Sequence, residues 1–241
     1  MLFVTIHREA ASAYFRRSCQ NTTVYCEKDS IELLSSTEDC LRHMSNVIES
    51  ACVFCGSASG SSTVYAEAAT QMGHLLAGRN IQLVYGGGNI GLMGTIADAV
   101  LEKEGKVIGV IPESLKEKEL AHLGLTELHI LGSMHERKAF MAESSDAFIA
   151  MPGGFGTLDE LCEILTWAQL SFHKKPIGLL NINGFFDPLL KMFDHAIKEG
   201  FLKKEHRELA HVSEEPEELL TMLAKAEPIK EEKWWFDKDL T

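Results

Sequence analysis

A doubly wound α/β domain, one parallel sheet with helices on both faces, is what this 241-residue sequence predicts. From Ala51 onward, short β-branched apolar runs alternate with longer amphipathic stretches, the rhythm of stacked β-α units. Two glycine-rich turns each lie where such a run passes into a helical stretch. No apolar run approaches the ~20 residues that span a bilayer, so the chain reads as a soluble protein.

Taken in order, Ala51-Cys52-Val53-Phe54-Cys55 is a strand ended by Gly56, and the serine-rich turn beyond it opens a helix over 62–77. A strand over 81–85 runs into the first glycine turn and a helix over 92–104. Strands follow over 106–111 and 128–131, the second leading to a helix over 135–143. The strand over 147–151 meets the second glycine turn and a helix over 157–170. A strand over 176–180 and helices over 188–199 and 216–226 complete the pattern. Right-handed crossovers put helices on both faces of such a sheet. Residues 1–48 lack this rhythm and are expected to form an N-terminal extension, with at best one polar helix over 30–49. The domain itself is expected over 49–228, with a charged tail over 229–241. The adjacent aromatics Trp234, Trp235 and Phe236 in that tail are expected to pack on the domain or on a second subunit, because such clusters seldom stay in water.

The net charge of -12 argues against a surface that tracks a polynucleotide, which needs clustered Lys and Arg, but leaves small anions open as ligands. The cysteines lack the dense spacing of a secreted disulfide scaffold, so a reducing cytoplasm fits best. Cys52 and Cys55 form C-x-x-C, yet on a strand residues three apart face opposite sides, which disfavours redox or metal use. The first eighteen residues carry Arg8, Arg16 and Arg17 against Glu9, a faint likeness to a transit peptide, but with no long apolar stretch they read as a variable extension or an unusual start.

Tyr85-Gly86-Gly87-Gly88-Asn89-Ile90-Gly91-Leu92-Met93-Gly94 forms the first glycine turn. Glycines bring backbone N–H groups close to a ligand, and the helix N-terminus beyond adds partial positive charge. Gly86, Gly88 and Gly91 also satisfy G-x-G-x-x-G, with Glu113 near the position of a ribose-binding acid. That fingerprint opens a first β-α unit, whereas here Cys55-Gly56-Ser57-Ala58-Ser59-Gly60 precedes it. The second turn is Pro152-Gly153-Gly154-Phe155-Gly156-Thr157, in which Thr157 can cap the helix or donate to an anion. Ligands of open α/β sheets bind outside the carboxyl ends of the strands, so both turns and the one carrying Ser57 are expected to line one crevice that holds a phosphate. No G-x-x-x-x-G-K-[ST] occurs, which disfavours a P-loop triphosphatase.

Ser133-Met134-His135-Glu136 has the form of a capping box, making Glu136 structural. Arg137 and Lys138 place cations in the first turn of that helix, where the dipole disfavours them unless an anion offsets the cost. Asp159 and Glu160 suit the first turn of the helix behind the second glycine turn. A carboxylate there also lies about one ribose from a bound phosphate, where it could stabilise an oxocarbenium-like transition state. Glu163, one turn on, could orient Glu160. The histidines show no metal-binding pairing, and only His135, beside the cations, stands out.

Pro152-Gly153-Gly154-Phe155-Gly156-Thr157-Leu158-Asp159-Glu160 resembles P-G-G-x-G-T-x-x-E, the signature of the LOG family of cytokinin-activating enzymes. Ser133-Met134-His135-Glu136-Arg137-Lys138 and the Gly86-to-Gly94 turn resemble its other two motifs, and the likeness covers about residues 49–226. The resemblance implies a Rossmann-like fold, a homodimer, and hydrolysis of a purine nucleoside 5'-monophosphate to free base and ribose 5-phosphate. It implies that Arg137 and Glu160 are catalytic, that Ser57, Gly87, Gly88, Met134 and Lys138 bind substrate, and that Gly153, Gly154, Gly156 and Thr157 hold the phosphate. It implies no metal and no cofactor. Relatives are often labelled lysine decarboxylase, but nothing here marks a pyridoxal phosphate lysine. Two other readings stand beside it: a non-catalytic carrier or sensor of a phosphorylated ligand, and an oxidoreductase holding a dinucleotide at Gly86 to Gly91.

Overall fold

The computed structural model describes residues 23–27, 30–34, 47–116 and 121–227. The chain divides into Met1–Val47 and Ile48–Thr241. In the first unit, β1 (Thr23–Glu27) and β2 (Ser30–Leu34) pair antiparallel, with Thr23 opposite Leu34 and Glu27 opposite Ser30. The polar helix expected from residue 30 is therefore corrected at its start. Ser30-Ile31-Glu32-Leu33 alternates polar with apolar, a two-residue period that suits extended backbone. The tail cluster at Trp234, Trp235 and Phe236 lies outside the described residues.

Extended backbone sends successive side chains to opposite faces, and in the second unit that period sorts the strands into two apolar layers. The strands are β3 (Ser50–Phe54), β4 (Gln82–Tyr85), β5 (Val107–Pro112), β6 (Glu127–Leu131), β7 (Ala147–Ala150), β8 (Ile177–Leu180) and β9 (Ala210–Ser213). Their helices are α1 (Thr63–Gly78), α2 (Gly91–Glu102), α3 (Glu113–Lys116), α4 (Met134–Glu143), α5 (Phe155–Gln169), α6 (Asp187–Lys198), α7 (Lys204–Arg207) and α8 (Pro216–Lys225). Ala51, Val53, Leu83, Tyr85 and Ile149 pack with Met72, Leu76, Ile96 and Leu219 from α1, α2 and α8. Cys52, Phe54, Val84, Phe148 and Ala150 pack with Met141, Leu161 and Ile164 from α4 and α5. Full burial of each large apolar side chain stabilises the fold by roughly 1.5–3 kcal/mol. Cys52 and Cys55 lie in opposite layers, both buried, as their spacing on a strand requires.

All neighbouring strands of this sheet are parallel, in the order β6-β5-β4-β3-β7-β8-β9. The chain steps outward from β3 to β6, returns to β7 on the other side of β3, and steps outward again. The switch in direction falls between β3 and β7, which opens a crevice at their carboxyl ends. Every strand and helix expected after Ala51 is present, with ends shifted by no more than two residues. The edge strand β9 was not expected, because Ala-His-Val-Ser lacks a continuous apolar run; its pairing with β8 holds it. Among the described residues no helix is long and apolar enough to cross a membrane.

Burial pushes the imidazoles of His173 and His211 below the ordinary 6.5, outweighing at His173 the hydrogen bond from its Nε2 to the Ile164 carbonyl oxygen. His206 is lowered for the same reason, aided by Lys203. A depressed folded pKa means that the unfolded chain binds more protons just below pH 6.5, so stability falls as pH drops through that value. The melting temperature is expected to be lower at about pH 5.5 than at about pH 7, and His211→Gln to flatten the difference. Equal melting temperatures at both pH values would contradict this.

Candidate active site

Three turns converge at the switch point, one each from β3, β4 and β7, and Gly56 joins them. Its N–H donates to the Pro152 carbonyl at 3.0 Å, and its own carbonyl accepts from Leu92 N–H at 3.0 Å and Met93 N–H at 3.3 Å. A Cβ at Gly56 would stand 3.0 Å from the Ala58 oxygen and 3.3 Å from Gly153 Cα. Gly91, at φ +61°, lies against the backbone of Ser57 and Ala58, where a Cβ would collide. The structure thus brings together the turns that carry Ser57, Gly87 and Gly88, and Gly153 to Thr157.

The helices beginning at this crevice leave their first amides without side-chain caps. The N-cap residues of α1, α2 and α5 are Ser62, Ile90 and Gly154, and none makes a side-chain capping bond. At α2 the Gly56 carbonyl takes the amides of Leu92 and Met93, so it is at α1 and α5 that uncapped N–H groups with a dipole behind them favour an anion. The capping role considered for Thr157 is corrected: α5 starts at Phe155, so Gly154 is the N-cap and the buried Thr157 packs against Gly153 inside the first turn. The earlier start also moves Asp159 and Glu160 into the second turn. Gly154 and Gly156 are exposed, and nothing lies within 4 Å of a Cβ built on either. Ser57, Met134 and His135 are exposed as well.

α4 is capped as its sequence requires, with Glu136 N–H donating to Ser133 Oγ at 3.2 Å and Ser133 N–H donating to Glu136 Oε2 at 3.1 Å. The cap aims Arg137 inward, where it is only 7% exposed. Arg137 Nε donates to the Val110 carbonyl at 3.0 Å, Nη1 approaches Met134 Sδ at 3.3 Å, and Nη2 lies 3.3 Å from Glu160 Oε1. Glu160 keeps 12% of its side chain exposed, so the pair sits under the crevice with one edge toward solvent. Its guanidinium covers Gly86, where a Cβ would collide with Nη2, so Gly86 leaves the space that Arg137 fills. Both cations of α4 find their anions on α5. Lys138 Nζ lies 3.0 Å from Glu163 Oε1 and 3.3 Å from Asp159 Oδ2. Burial pulls the ammonium down, but the hydrogen bonds it donates to Glu163 and Asp159 outweigh it and hold Lys138 above its ordinary value. The role expected for Glu163, orienting Glu160, is corrected: it faces Lys138.

Sequence reasoning missed the Val110 carbonyl, because a backbone acceptor leaves no mark in residue type. It also passed over His122, whose N–H donates to the Gly87 carbonyl at 2.9 Å behind the first glycine turn. Glu113 is exposed and pairs with Lys116 at 3.8 Å. Among the described residues no cluster of three or more His, Cys, Asp or Glu could hold a metal ion.

A protein-family model described as "Possible lysine decarboxylase" matches residues 93–223. A probable cytokinin riboside 5'-monophosphate phosphoribohydrolase of Oryza sativa subsp. japonica is 51% identical over 169 residues, covering 70% of this chain and 76% of that protein. A cytokinin riboside 5'-monophosphate phosphoribohydrolase of Arabidopsis thaliana is 48% identical over 180 residues, covering 75% and 84%. Among solved structures, the molybdenum cofactor carrier protein of Chlamydomonas reinhardtii aligns with TM-score 0.57 at 22% identity, covering 73% of this chain and 96% of that one. The molybdenum cofactor binding protein of Rippkaea orientalis aligns with TM-score 0.55 at 23% identity, covering 73% and 95%. At such identities the two structures are similar in fold alone.

Removing one member of a buried pair strands the other. Arg137→Met would leave Glu160 without this cation and the Val110 carbonyl without this donor, and is expected to lower stability by roughly 3 kcal/mol. Chemical denaturation without ligand checks this, and an unshifted midpoint would show that the pair contributes nothing to the fold.

Proposed function

The chain belongs to the LOG family, whose plant members named above are cytokinin riboside 5'-monophosphate phosphoribohydrolases, and from that membership we propose that it hydrolyses the N-glycosidic bond of a purine nucleoside 5'-monophosphate. The products are the free base and ribose 5-phosphate. The observation that carries the reading is the Arg137–Glu160 pair, 3.3 Å apart directly behind the glycine turn that opens α5.

In this reading the 5'-phosphate docks on the uncapped amides at the start of α5, over Gly154 and Gly156, which leave open space for it. Glu160 lies three residues beyond Thr157, a helical rise of about 4.5 Å, which suits the reach from a 5'-phosphate to the anomeric carbon. The C1'–N bond breaks with its electron pair leaving on the base. The Glu160 carboxylate stabilises the positive charge that builds on the ribose and directs a water oxygen to C1'. One water proton is carried to the departing base, so the balance closes with water as the sole co-reactant. Arg137, fixed by the Val110 carbonyl, holds the carboxylate in place. Lys138, braced by Asp159 and Glu163, fixes α4 against α5 and adds positive charge beside the phosphate turn. Ser57, Gly87, Gly88 and Met134 complete the lining of the crevice.

We also take residues 49–228 as the catalytic body, residues 1–48 as an extension and residues 229–241 as a tail. The protein is read as a cytoplasmic homodimer, which light scattering at micromolar concentration tests against the 26.7 kDa chain.

Chromatography after incubation with AMP, isopentenyladenosine monophosphate, GMP and CMP is expected to show free base from a purine monophosphate and none from adenosine, which lacks the phosphate. Equal turnover of AMP and adenosine overturns the reading. Glu160→Gln keeps shape while removing charge, and is expected to lower kcat at least ~100-fold with substrate binding retained. Near-normal turnover in that variant would remove Glu160 from the chemistry.

A further inference from the structure

His122 is 8% exposed, and both ring nitrogens and its backbone are engaged around the first glycine turn. Gly124 N–H donates to Nδ1 at 3.1 Å, which places the ring proton on Nε2. Nε2–H donates to Asp98 Oδ1 at 2.9 Å, two turns into the helix that the glycine turn feeds. The backbone N–H of the same residue donates to the Gly87 carbonyl at 2.9 Å, and the preceding Ala121 bridges to Gly88. His122 therefore ties the start of the turn to the body of α2. On its other side the turn rests on β5, where a Cβ at Gly87 would stand 3.2 Å from Val110 N and 3.3 Å from Ile111 Cβ.

We propose that the His122–Asp98 pair is a positioning device for substrate binding, holding Gly86 to Gly88 in the conformation that receives the nucleotide. The inference rests on the function proposed above. Consecutive glycines lose more backbone freedom on ordering than any other residues. A turn of this composition binds well only when other parts of the fold have already restricted it. The ring does this at one remove from the ligand. It pins the strap over residues 121–124, and the strap pins the glycine backbone. Neither residue bonds Arg137 or Glu160 in the contacts given above, and the bonds from the strap fall on Gly87 and Gly88 rather than on Gly86 beneath the guanidinium, so their loss acts on affinity before chemistry.

Titration calorimetry of AMP, steady-state hydrolysis of AMP and amide hydrogen exchange over residues 86–92, all on the full chain, test the proposal. His122→Ala is expected to weaken AMP binding and raise KM about ten-fold, with kcat changed less than about two-fold and faster exchange over 86–92. Asp98→Ala, at an exposed position that the fold tolerates, is expected to do the same. His122→Gln, whose side-chain amide can still donate to Asp98, is expected to recover most of the loss. Wild-type affinity and exchange in His122→Ala overturn the proposal, as does a fall in kcat at constant KM or a failure of His122→Gln to rescue. Should the unaltered protein bind AMP and release no base, the proposed reaction falls, while calorimetry and exchange still decide the role of His122.

Discussion

Gly56 is bonded through its backbone to the β7 turn and to the start of α2 at once, with Ala58 and Gly153 close enough to crowd any side chain there, and the arrangement of the crevice depends on that contact. The N–H of Gly56 faces the β7 turn and its carbonyl faces the start of α2, so one residue holds both glycine turns to the central strand. β3 can serve in this way because the sheet switches direction beside it. Its two neighbours, β4 and β7, are the strands whose carboxyl ends carry the other two turns. A strand elsewhere in the sheet would have at most one such turn beside it.

The contact between α4 and α5 is governed by charge as much as by packing. Cations near the start of a helix face an unfavourable dipole, and α4, which begins at Met134, carries Arg137 and Lys138 there. α5 answers with Glu160 against Arg137, and with Asp159 and Glu163 against Lys138. The local cost of the cations becomes a constraint on how the two helices sit, and it sets the carboxylate of Glu160 behind the uncapped N-terminus of α5. The molybdenum cofactor proteins named above are similar to this chain in fold, which does not by itself extend to a shared task.

Much of this was legible in the sequence, for reasons that vary by residue. Apolar runs at Ala51 and Ala147 and the glycine punctuation after Tyr85 and Met151 determine strand and turn by local chemistry, and these came through within a residue or two. Arg137 and Glu160 stood out because one of them contradicts its helix, and a local contradiction points to a partner elsewhere. The ion pairs of Lys138 with Asp159 and Glu163 were not foreseen, because nothing local says which way a carboxylate on a helix faces. Short polar strands such as β2 and β9 depend on pairing rather than on composition. Backbone acceptors such as Val110 and the strap at His122 arise only in three dimensions.

The guanidinium resting on Gly86 ties two positions far apart in the chain into one heritable unit. A side chain added at residue 86 would displace Arg137, and an Arg137 lost would leave a void over Gly86 that a small side chain could fill. What fits at either position therefore depends on the residue at the other. Glycine at the first position of the turn is thus a condition for the arginine to lie where it does, and a larger residue there is compatible only with a chain in which that side chain is placed elsewhere.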